Sequence, residues 1–426
     1  MLTLYRVILY LGLPYFLFKL TLRGLQNKQY FDRLRQRFGF LSIRPKPKGI
    51  WVHAVSMGEV NAAAPLINVL MEKYPDDAFT VTTMTPTGSE RVTRLFGDRV
   101  HHCYLPYDLP GAVARFVRRV QPRLGIVMET EIWPNFIHKC HQKKIPLVYA
   151  NVRMSRKSHR GYQRFLPLVS KTLQKVDLFA VQAKTDAKRM IRLGAHPRSV
   201  HVTGSIKFDI TTPASIIEAA QAIRRNLGWE RPVWVAGSTH EGEESIIIDS
   251  FGLIKKSQPN ALLVLVPRHP ERFTTVFRLC TRMGYKTELR SENQGEIDPD
   301  TSIYLGDTMG ALPLLIAAGD VAFIGGSLVP VGGHNLLEAC AVGVPVVFGQ
   351  HMFNFSEISE MVLKQGAGLQ IFNAEELANV IEKLLEDPVS RDQYGSQGIK
   401  LVEQNRGALK KVDALIDRVI GNATER

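Results

Sequence analysis

Beyond residue 48, short apolar runs alternate with segments in which apolar side chains recur at helical spacing. The runs are typical of buried strands, and the spacing is typical of helices with one buried face. The first half predicts strands at 49–55, 78–83, 124–129, 146–150 and 177–181. The second half predicts strands at 232–236, 261–266, 302–305, 321–324 and 344–348. Because helical segments separate the strands, we predict an α/β protein with two parallel, doubly wound sheets.

The alternation is interrupted at residues 210–232, a polar segment with Pro213 and Pro232 towards its ends. We interpret this segment as the connection between two domains, because linkers lack the apolar periodicity of packed elements. A length of 426 residues also suits two domains, since a domain usually has about 100–200 residues. We therefore expect an N-terminal domain at 23–209, then the connection and a C-terminal domain at 210–426. Two such domains in tandem predict a ligand cleft between the carboxyl ends of facing sheets.

The N-terminal segment differs, with an uncharged apolar run at residues 7–18 between Arg6 and Lys19. Twelve helical residues rise only about 18 Å, whereas a membrane span needs about 20 apolar residues. From Lys19 to Lys48 there are nine basic residues and one acidic residue, a bias that favours the cytoplasmic side and anionic lipid. We predict that residues 1–22 anchor the protein to a membrane and that its body is cytoplasmic.

Two other interpretations of this anchor segment are a cleaved signal peptide and a core helix of the first domain. The signal peptide is disfavoured because no small-residue cleavage site follows the apolar run. As an anchor, the segment crosses a bilayer only if flanking leucines and long basic side chains are recruited. An interfacial helix is the alternative to a spanning one.

Composition narrows the possible partners. Lys+Arg 54 against Asp+Glu 40 gives a net charge of +14, which attracts nucleic acid, acidic headgroups or phosphorylated substrates. No C-x-x-C pair occurs, which excludes a metal knuckle or a thioredoxin-like motif. We predict buried thiols in a reducing compartment for the four cysteines Cys103, Cys140, Cys280 and Cys340.

Glu59 follows the first predicted strand and opens the next helix. The helix macrodipole favours an acid there, which explains Glu59 without any function. The same position keeps a carboxylate ionised near helix N–H groups, as a general base requires. Both interpretations, a capping residue and a base, predict an ionised side chain.

Glu129 and Glu131 close the apolar strand at 124–129, where acids are seldom buried unless they are paired. Alternation along a strand directs both to the same side, so we expect a shifted pKa for one of them. The alternative is a loop that caps the next helix. Lys207, just before the connection, is either a solvated linker charge or a cation directed at an anion.

The second half contains three features suited to anions, each after a predicted strand. Arg268 offers a planar, fork-shaped cation for phosphate or carboxylate. Residues 306–310 (GDTMG) open a helix with available backbone N–H groups. Residues 325–339 contain two double glycines, which allow close approach of backbone to ligand, with Asn335 at a helix start and Glu338 one turn later. Together they predict a nucleotide-binding domain.

Two other motifs resemble metal sites. Asp298-Pro299-Asp300 has D-x-D spacing, but its polar surroundings predict a turn. His101 and His102 have no partner at ligand spacing, so we expect a structural or surface role.

Long motifs along nearly the whole chain carry a resemblance to a known family. They are HAVSMGE (53–59), VTTMTPTGSERV (81–92), YLPYDLP (104–110), METEIWPN (128–135), TGSIKFD (203–209), STHEGEE (238–244), VPRHPERF (266–273), GDTMG (306–310) and GGSLVPVGGHNLLEA (325–339). The chain resembles the 3-deoxy-D-manno-octulosonic acid (Kdo) transferases of Gram-negative bacteria, which start the inner core of lipopolysaccharide.

The resemblance implies the GT-B fold, with two Rossmann-like domains and an N-terminal membrane anchor. It implies inverting, metal-independent transfer without a cofactor, from CMP-Kdo to the tetraacylated lipid A precursor (lipid IVA). The implied location is the cytoplasmic face of the bacterial inner membrane, where an anionic surface rather than nucleic acid is the partner.

The resemblance also implies roles for individual residues. Glu59 matches the family's proton acceptor, and Glu129 and Lys207 match positions that stabilise the transition state. The positions that match CMP contacts are Pro267, Arg268, Met309, Gly310, Ala311, Asn335, Leu336, Leu337 and Glu338.

Departures from the family's pattern are small: Met57 stands where valine is common, Ala311 where an acid is expected, and Leu336 where proline is common. Ala311 leaves a backbone contact to CMP but removes a side-chain one. Two alternative functions are a nucleotide-sugar 2-epimerase of similar fold and a basic peripheral protein that binds lipid or nucleic acid without catalysis. Neither alternative requires both a membrane anchor and three consecutive strand-end anion features.

Overall fold

The chain forms two compact units in the computed structural model, which describes residues 1–26, 28–42, 44–210 and 213–424. The first unit contains Met1–Asp209 together with Arg406–Arg426, and the second contains Ile210–Asn405. Residues 211 and 212 of the predicted connection lie outside the described residues. Most of the rest of that segment is a helix rather than an irregular linker.

A parallel seven-stranded sheet forms the centre of the first unit. Its strands are β1 (Ile50–His53), β2 (Phe79–Thr83), β3 (His101–Tyr104), β4 (Leu124–Met128), β5 (Leu147–Val152), β6 (Leu178–Val181) and β7 (Val200–Val202). Its helices are α1 (Leu2–Gln26), α2 (Met57–Lys73), α3 (Pro86–Phe96), α4 (Pro110–Val120), α5 (Pro134–Gln142), α6 (Arg156–Gln163), α7 (Leu166–Leu173) and α8 (Lys184–Arg192). The strand order β3-β2-β1-β4-β5-β6-β7 is that of a doubly wound sheet.

The second unit repeats this architecture. Its strands are β8 (Val233–Thr239), β9 (Leu262–Pro267), β10 (Thr287–Leu289), β11 (Ile303–Leu305), β12 (Val321–Ile324), β13 (Val346–Phe348) and β14 (Gly368–Gln370). Its helices are α9 (Ala214–Leu227), α10 (Glu244–Ser257), α11 (Phe273–Arg282), α12 (Leu312–Ala318), α13 (Leu337–Ala341), α14 (Ser356–Gln365), α15 (Ala374–Glu386) and α16 (Pro388–Asn405). The order β10-β11-β9-β8-β12-β13-β14 gives two parallel sheets, as the GT-B fold class predicted.

All ten predicted strands are present, with ends that differ by at most three residues. They are the interior strands of the two sheets. The four strands that the sequence did not predict are the edge strands β3, β7, β10 and β14. Interior strands such as β1 and β4 are buried at every position, whereas β7 and β10 have no fully buried residue. An edge strand therefore leaves only a weak apolar signal.

The last helix, α17 (Ala408–Thr424), belongs to the first unit, so the predicted extent of the second domain, 210–426, is wrong at its C-terminal end. Its apolar face, with Val412 and Ile416, is buried against α2. At the start of the helix, Asp209 accepts hydrogen bonds from the N–H groups of Gly407 (2.6 Å) and Leu409 (2.7 Å). Apolar burial and capping together hold the returning chain.

Helix α1 is apolar and largely exposed. Residues Leu2–Leu22 are long and apolar enough to cross a membrane, and Leu11, for example, is 77% exposed. The helix is therefore not a core element of the first unit. Its first turn nevertheless contacts the unit, since the Tyr5 hydroxyl donates to Asp108 (2.9 Å) and the Arg6 Nε donates to Asn135 (2.8 Å).

Removing the Asp209 cap should destabilise the first unit. We expect Asp209→Ala to lower its unfolding free energy by about 1–2 kcal/mol, because two N–H groups at the start of α17 lose a charged acceptor. Asp209→Asn should lower the unfolding free energy by a smaller amount. Differential scanning calorimetry measures the transitions, with Asp387→Ala, which removes the cap of α16, as the control in the second unit. An unchanged first-unit transition in Asp209→Ala would contradict the role of the cap.

Candidate active site

The strand order of the first sheet reverses direction between β1 and β4, which pair side by side. Doubly wound sheets bind ligands at such a switch point, at the carboxyl ends of the strands. Glu59 follows β1 at the start of α2, and Glu129 immediately follows β4. The fold therefore brings together two of the predicted catalytic residues.

Glu59 occupies the third position of α2, and its side chain turns back towards the strand. One carboxyl oxygen accepts a hydrogen bond from the Val55 N–H at 2.8 Å, and the other lies 3.5 Å from the Ser56 hydroxyl. Val55 precedes the N-cap residue Ser56, so this contact pairs a backbone N–H of the turn between β1 and α2 rather than one of the helix's own. Glu59 thus has a structural role in this turn, which is compatible with a second role as a base.

The electrostatics of Glu59 differ from the sequence-based expectation. Burial raises the pKa of Glu59 to about 8, and the hydrogen bond from Val55 only partly offsets this. The negative charges of Glu129 and Glu131 raise the pKa further, and the positive charge of Lys207 lowers it. The expectation of an ionised carboxylate at neutral pH is wrong, because burial outweighs the helix N–H groups. About a tenth of the groups are ionised at pH 7.

Glu129 has a strained backbone at the end of β4. Its φ is +56°, in the left-handed region that residues other than glycine seldom adopt, and such strain is concentrated at functional sites. Its carboxylate forms an ion pair with the Lys207 ammonium at 3.5 Å. Lys207 is therefore neither a free linker charge nor distant from the site.

Glu131 lies beyond the strand, because β4 ends at Met128. Strand alternation therefore does not determine the direction of its side chain. Burial raises the pKa of Glu131, and the charge of Glu129 adds to the rise, so the expected pKa shift of one acid is present with burial as its main cause.

Asn151 positions Lys207, and the sequence analysis did not identify it. It is buried, has a φ of +58° and lies where the register of β5 against β6 shifts. Its side-chain oxygen accepts from the N–H of Ile206 at 3.1 Å, which fixes the short turn that carries Lys207. An asparagine directly after the apolar run of β5 was the available signal.

Asp108, also missed, fixes the loop that follows Glu131. Its carboxylate accepts from the N–H groups of Asn135 and Phe136, both at 2.9 Å. Burial raises the pKa of Asp108 to about 6, and these two hydrogen bonds oppose the rise. The same side chain accepts the hydrogen bond from Tyr5 of α1, so it joins the apolar helix to the active-site loop.

The second sheet has its own switch point, between β8 and β12. The glycine-rich loop after β12 is held there by Glu243, which is fully buried and which the sequence analysis did not select. Its carboxylate accepts from the N–H groups of Gly326 (2.7 Å), Ser327 (3.0 Å) and Leu328 (2.9 Å). An acid thus pairs the backbone donors that the turn leaves unsatisfied.

Arg268 and Glu338 lie within electrostatic range of each other in the second unit. Burial raises the pKa of Glu338, a hydrogen bond from Asn335 opposes the rise, and the charge of Arg268 also lowers it. Asn335 accepts from the N–H of Leu337 (3.2 Å), the first residue of α13. Among the described residues, no carboxylate lies within ion-pair distance of the Arg268 guanidinium, which leaves it available to an anion.

The other predicted CMP positions differ in how far their side chains are exposed. Met309 is 56% exposed, and Gly310 has a φ of +83° with open space where a Cβ would lie. Leu336 and Leu337 are fully buried, so only their backbone can reach a ligand. Pro267 ends β9, and Ala311 is a buried residue that precedes α12. Since α12 and α13 have seven and five residues, their dipoles are small.

The predicted structural features are confirmed. All four cysteines are buried free thiols, and Asp298 accepts from the Asp300 N–H at 2.9 Å in a turn. His102 is hydrogen-bonded to Thr83 at 3.0 Å. In the described part of the chain no group of three or more His, Cys, Asp and Glu is arranged to hold a metal ion, and the predicted metal independence stays a prediction.

Comparison with known proteins identifies the family of the chain. Residues 32–210 match the family model "3-Deoxy-D-manno-octulosonic-acid transferase (kdotransferase)", and residues 215–401 match "Glycosyl transferases group 1". The fold and these matches define a glycosyltransferase. The 3-deoxy-D-manno-octulosonic acid transferase of Haemophilus influenzae is 41% identical over 411 residues, 96% of each chain. That of Bordetella pertussis is 35% identical over 89% of this chain and 90% of its own. The chain belongs to the Kdo transferase family.

A solved structure supports the fold alone. The UDP-GlcNAc 2-epimerase of Neisseria meningitidis superposes with a TM-score of 0.55 over 87% of this chain and all of its own, at 12% identity. The epimerase was the rival enzyme because it shares the architecture, and at this identity the likeness extends no further than that.

The raised pKa of Glu59 should make the protein less stable as the pH rises. Between pH 4.5 and about 8 the unfolded chain carries an ionised Glu59 and the folded chain a neutral one, so stability falls across this window. Glu59→Gln removes the effect, and its thermal midpoint relative to wild type should increase from pH 5 to pH 8.5. The control is Glu376→Gln, a partly exposed acid at the same helix position of α15. A midpoint difference independent of pH in Glu59→Gln would contradict the buried, neutral state.

Proposed function

We propose that the protein transfers Kdo from CMP-Kdo to the tetraacylated lipid A precursor (lipid IVA) in lipopolysaccharide core biosynthesis, with inversion and without a metal ion. The observation that carries the proposal is the partly buried Glu59 carboxyl at the first switch point, beside the Glu129–Lys207 ion pair. The relatives support transfer of Kdo, and the family resemblance supplies the donor and the acceptor.

Glu59 is the proposed general base. The acceptor is a primary hydroxyl on a glucosamine, too weak an acid to attack unaided, so a base must take its proton as the bond to the anomeric carbon forms. Positioned bases contribute about 10²–10⁴-fold and work best with a pKa near the operating pH. A pKa of about 8 meets this condition better than an ordinary surface glutamate does.

Glu129 and Lys207 are the proposed stabilisers of the transition state. The charge of Lys207 favours the ionised form of Glu59, and Glu129 opposes it. The strained backbone of Glu129 and the buried Asn151 support a fixed position for both charges. Fixed charges stabilise a transition state without reorganisation during the reaction.

Arg268 is the proposed ligand of the donor's phosphate. CMP leaves with increased negative charge, which a planar guanidinium can bind with two parallel hydrogen bonds. Because α12 and α13 are short, the proposal gives the larger part of this stabilisation to Arg268 and the smaller part to the backbone N–H groups near Gly310 and Asn335.

The test is transfer by the purified full chain. Incubation with CMP-Kdo and lipid IVA should yield Kdo-bearing lipid by mass spectrometry, and kcat/KM should rise with pH up to about 8, since the base must be ionised. Glu59→Gln should lower turnover about 10²–10⁴-fold with unchanged CMP affinity, whereas Glu376→Gln should resemble wild type. Near-normal turnover of Glu59→Gln would remove it as the base.

The same assay separates the alternative functions. A nucleotide-sugar 2-epimerase would alter its sugar nucleotide without any lipid, and a peripheral binding protein would release no CMP. Kdo-bearing lipid and CMP formed in equal amounts are expected of the transferase alone.

We further propose attachment to the cytoplasmic face of the inner membrane through α1. Its exposed apolar side chains, such as Leu11, Tyr15 and Phe18, support contact with lipid, and the basic residues after it support an anionic surface. The bonds of Tyr5 and Arg6 to the first unit keep the N-terminus on the side of that unit. This favours a helix lying in the interface over one that spans the bilayer.

Cysteine labelling tests this orientation. A cysteine introduced at Thr3 should react with a membrane-impermeant maleimide in inverted inner-membrane vesicles but not in intact spheroplasts, as should the control Val389→Cys, which is exposed on the second unit. The native cysteines are buried and give little background. Labelling of residue 3 in intact spheroplasts would show that α1 spans the membrane.

A further inference from the structure

Two histidines of the second unit form a pair at the switch point of its sheet. His240 follows β8, and His334 lies in the loop after β12. Their Nε2 atoms are 2.8 Å apart, and the rings are nearly parallel, at 9° with centroids 5.1 Å apart. Neither residue is among the proposed catalytic or donor-binding residues.

The loops that carry the pair are held in place. Glu243 binds the N–H of His240 (3.2 Å) as well as the three N–H groups of the glycine loop. A Cβ at residue 326 would lie 3.2 Å from the His334 ring and 3.3 Å from the His240 ring. A side chain at this position would therefore crowd both imidazoles, and the φ of +66° also favours glycine.

The shared hydrogen bond limits how the pair can be protonated. In the neutral pair one Nε2–H donates to the other Nε2, so the accepting ring carries its own proton on Nδ1. One added proton goes to the Nδ1 of the donating ring and leaves the shared bond intact. The pair then has two outward N–H donors and one positive charge, which suits a phosphate group.

Neither Nδ1 atom is hydrogen-bonded to a group among the described residues, and both side chains are partly exposed. A ligand at the carboxyl ends of β8 and β12 can therefore reach them.

The surroundings keep the pair neutral until an anion arrives. Burial lowers the pKa of His240 to about 4, and the charges of His269, Arg268 and Arg272 add to this. Burial likewise lowers the pKa of His334 to about 3, with His240, Arg268 and His269 contributing.

The charged and titratable groups on the elements around the pair are Glu241, Glu243 and Glu244 after β8, Arg268, His269, Glu271 and Arg272 after β9, Glu338 on α13, and His351 after β13. Several of the carboxylates are already engaged. Glu243 is bound by backbone N–H groups, Glu244 pairs with Arg272 at 3.0 Å, and Glu338 is hydrogen-bonded to Asn335. These carboxylates therefore do not neutralise a charge on the histidine pair, and a bound phosphate would supply that negative charge.

We propose that His240 and His334 form a phosphate-binding element that takes up one proton from solvent when the nucleotide of the donor binds. The inference rests on the proposed function, since it assumes that CMP occupies this unit. The added proton offsets the charge that the phosphate gains when the sugar is transferred. Because the bound anion raises the pKa of the pair, CMP affinity increases as the pH falls towards the pKa values of the free pair.

Calorimetry with CMP at pH 7 tests the proposal in the full-length protein. Titrations in two buffers of different ionisation enthalpy give the number of protons taken up. Wild type should take up more protons than His334→Gln and His240→Gln, and both variants should bind CMP at least about fivefold more weakly. The ionisation of CMP itself is common to all proteins and cancels in this comparison.

Cytidine, which lacks the phosphate, distinguishes phosphate binding by the two histidines from a purely structural role of these residues. Its affinity should be the same in wild type and in both variants, and it should cause no difference in proton uptake. Arg268→Ala should weaken CMP binding yet retain the uptake, and His351→Gln should resemble wild type in every titration. If one histidine variant does not fold, the other gives the same comparison.

Equal proton uptake by wild type and variants would overturn the proposal, as would equal losses of CMP and cytidine affinity. Absence of CMP binding by the wild type would instead overturn the donor assignment of the proposed function. The two failures are therefore distinguishable.

Discussion

Both candidate sites depend on one constraint, the need to pair backbone N–H groups where the chain leaves a parallel sheet and where the next helix begins. Beyond the last sheet hydrogen bond these donors have no strand partner, and an unpaired buried donor costs about 1–3 kcal/mol. In this protein carboxylates accept from them. Asp108 fixes the loop after Glu131, and Glu243 fixes the glycine loop after β12. The positions of the reactive groups follow from these acids.

Glu59 differs from the structural acids in how many donors it receives. Asp108 accepts from two backbone N–H groups and a tyrosine hydroxyl, and its pKa is about 6 despite nearly complete burial. Glu59 accepts from one backbone N–H and faces two further carboxylates, and its pKa is about 8. Because fewer hydrogen bonds stabilise the charged form of Glu59, they oppose the rise in pKa that burial causes less strongly. The same type of strand-end acid is therefore structural when well bonded and reactive when poorly bonded.

The sequence predicted what depends on local pattern. The interior strands have continuous apolar runs, and Glu59 has a helix-start position that the sequence makes visible. The edge strands were missed because β7 and β10 have no fully buried residue and β3 begins with two histidines outside the core, so no continuous apolar run marks them. Asn151 and Glu243 were missed because their partners are distant in sequence, at Ile206 and in the glycine loop. The predicted charge state of Glu59 was wrong because its burial depends on the packed fold, which the position at a helix start does not reveal.

Burial has a parallel effect on the two groups to which we assign proton transfers. It favours the neutral form of both, so Glu59 holds a proton that it must lose, and the His240–His334 pair lacks one that it must gain. In each case a charge of opposite sign shifts the equilibrium towards the working form. Lys207 supplies that charge to Glu59 within the first unit, and the phosphate of the ligand supplies it to the histidine pair within the second.

The source of the opposite charge decides when each group reaches its working form. Because Lys207 is part of the protein, Glu59 is partly ready before substrate binds. The histidine pair becomes charged only when its ligand is present. The pair therefore avoids the cost of a permanent buried charge, which would otherwise add to the cationic repulsion from Arg268 and Arg272.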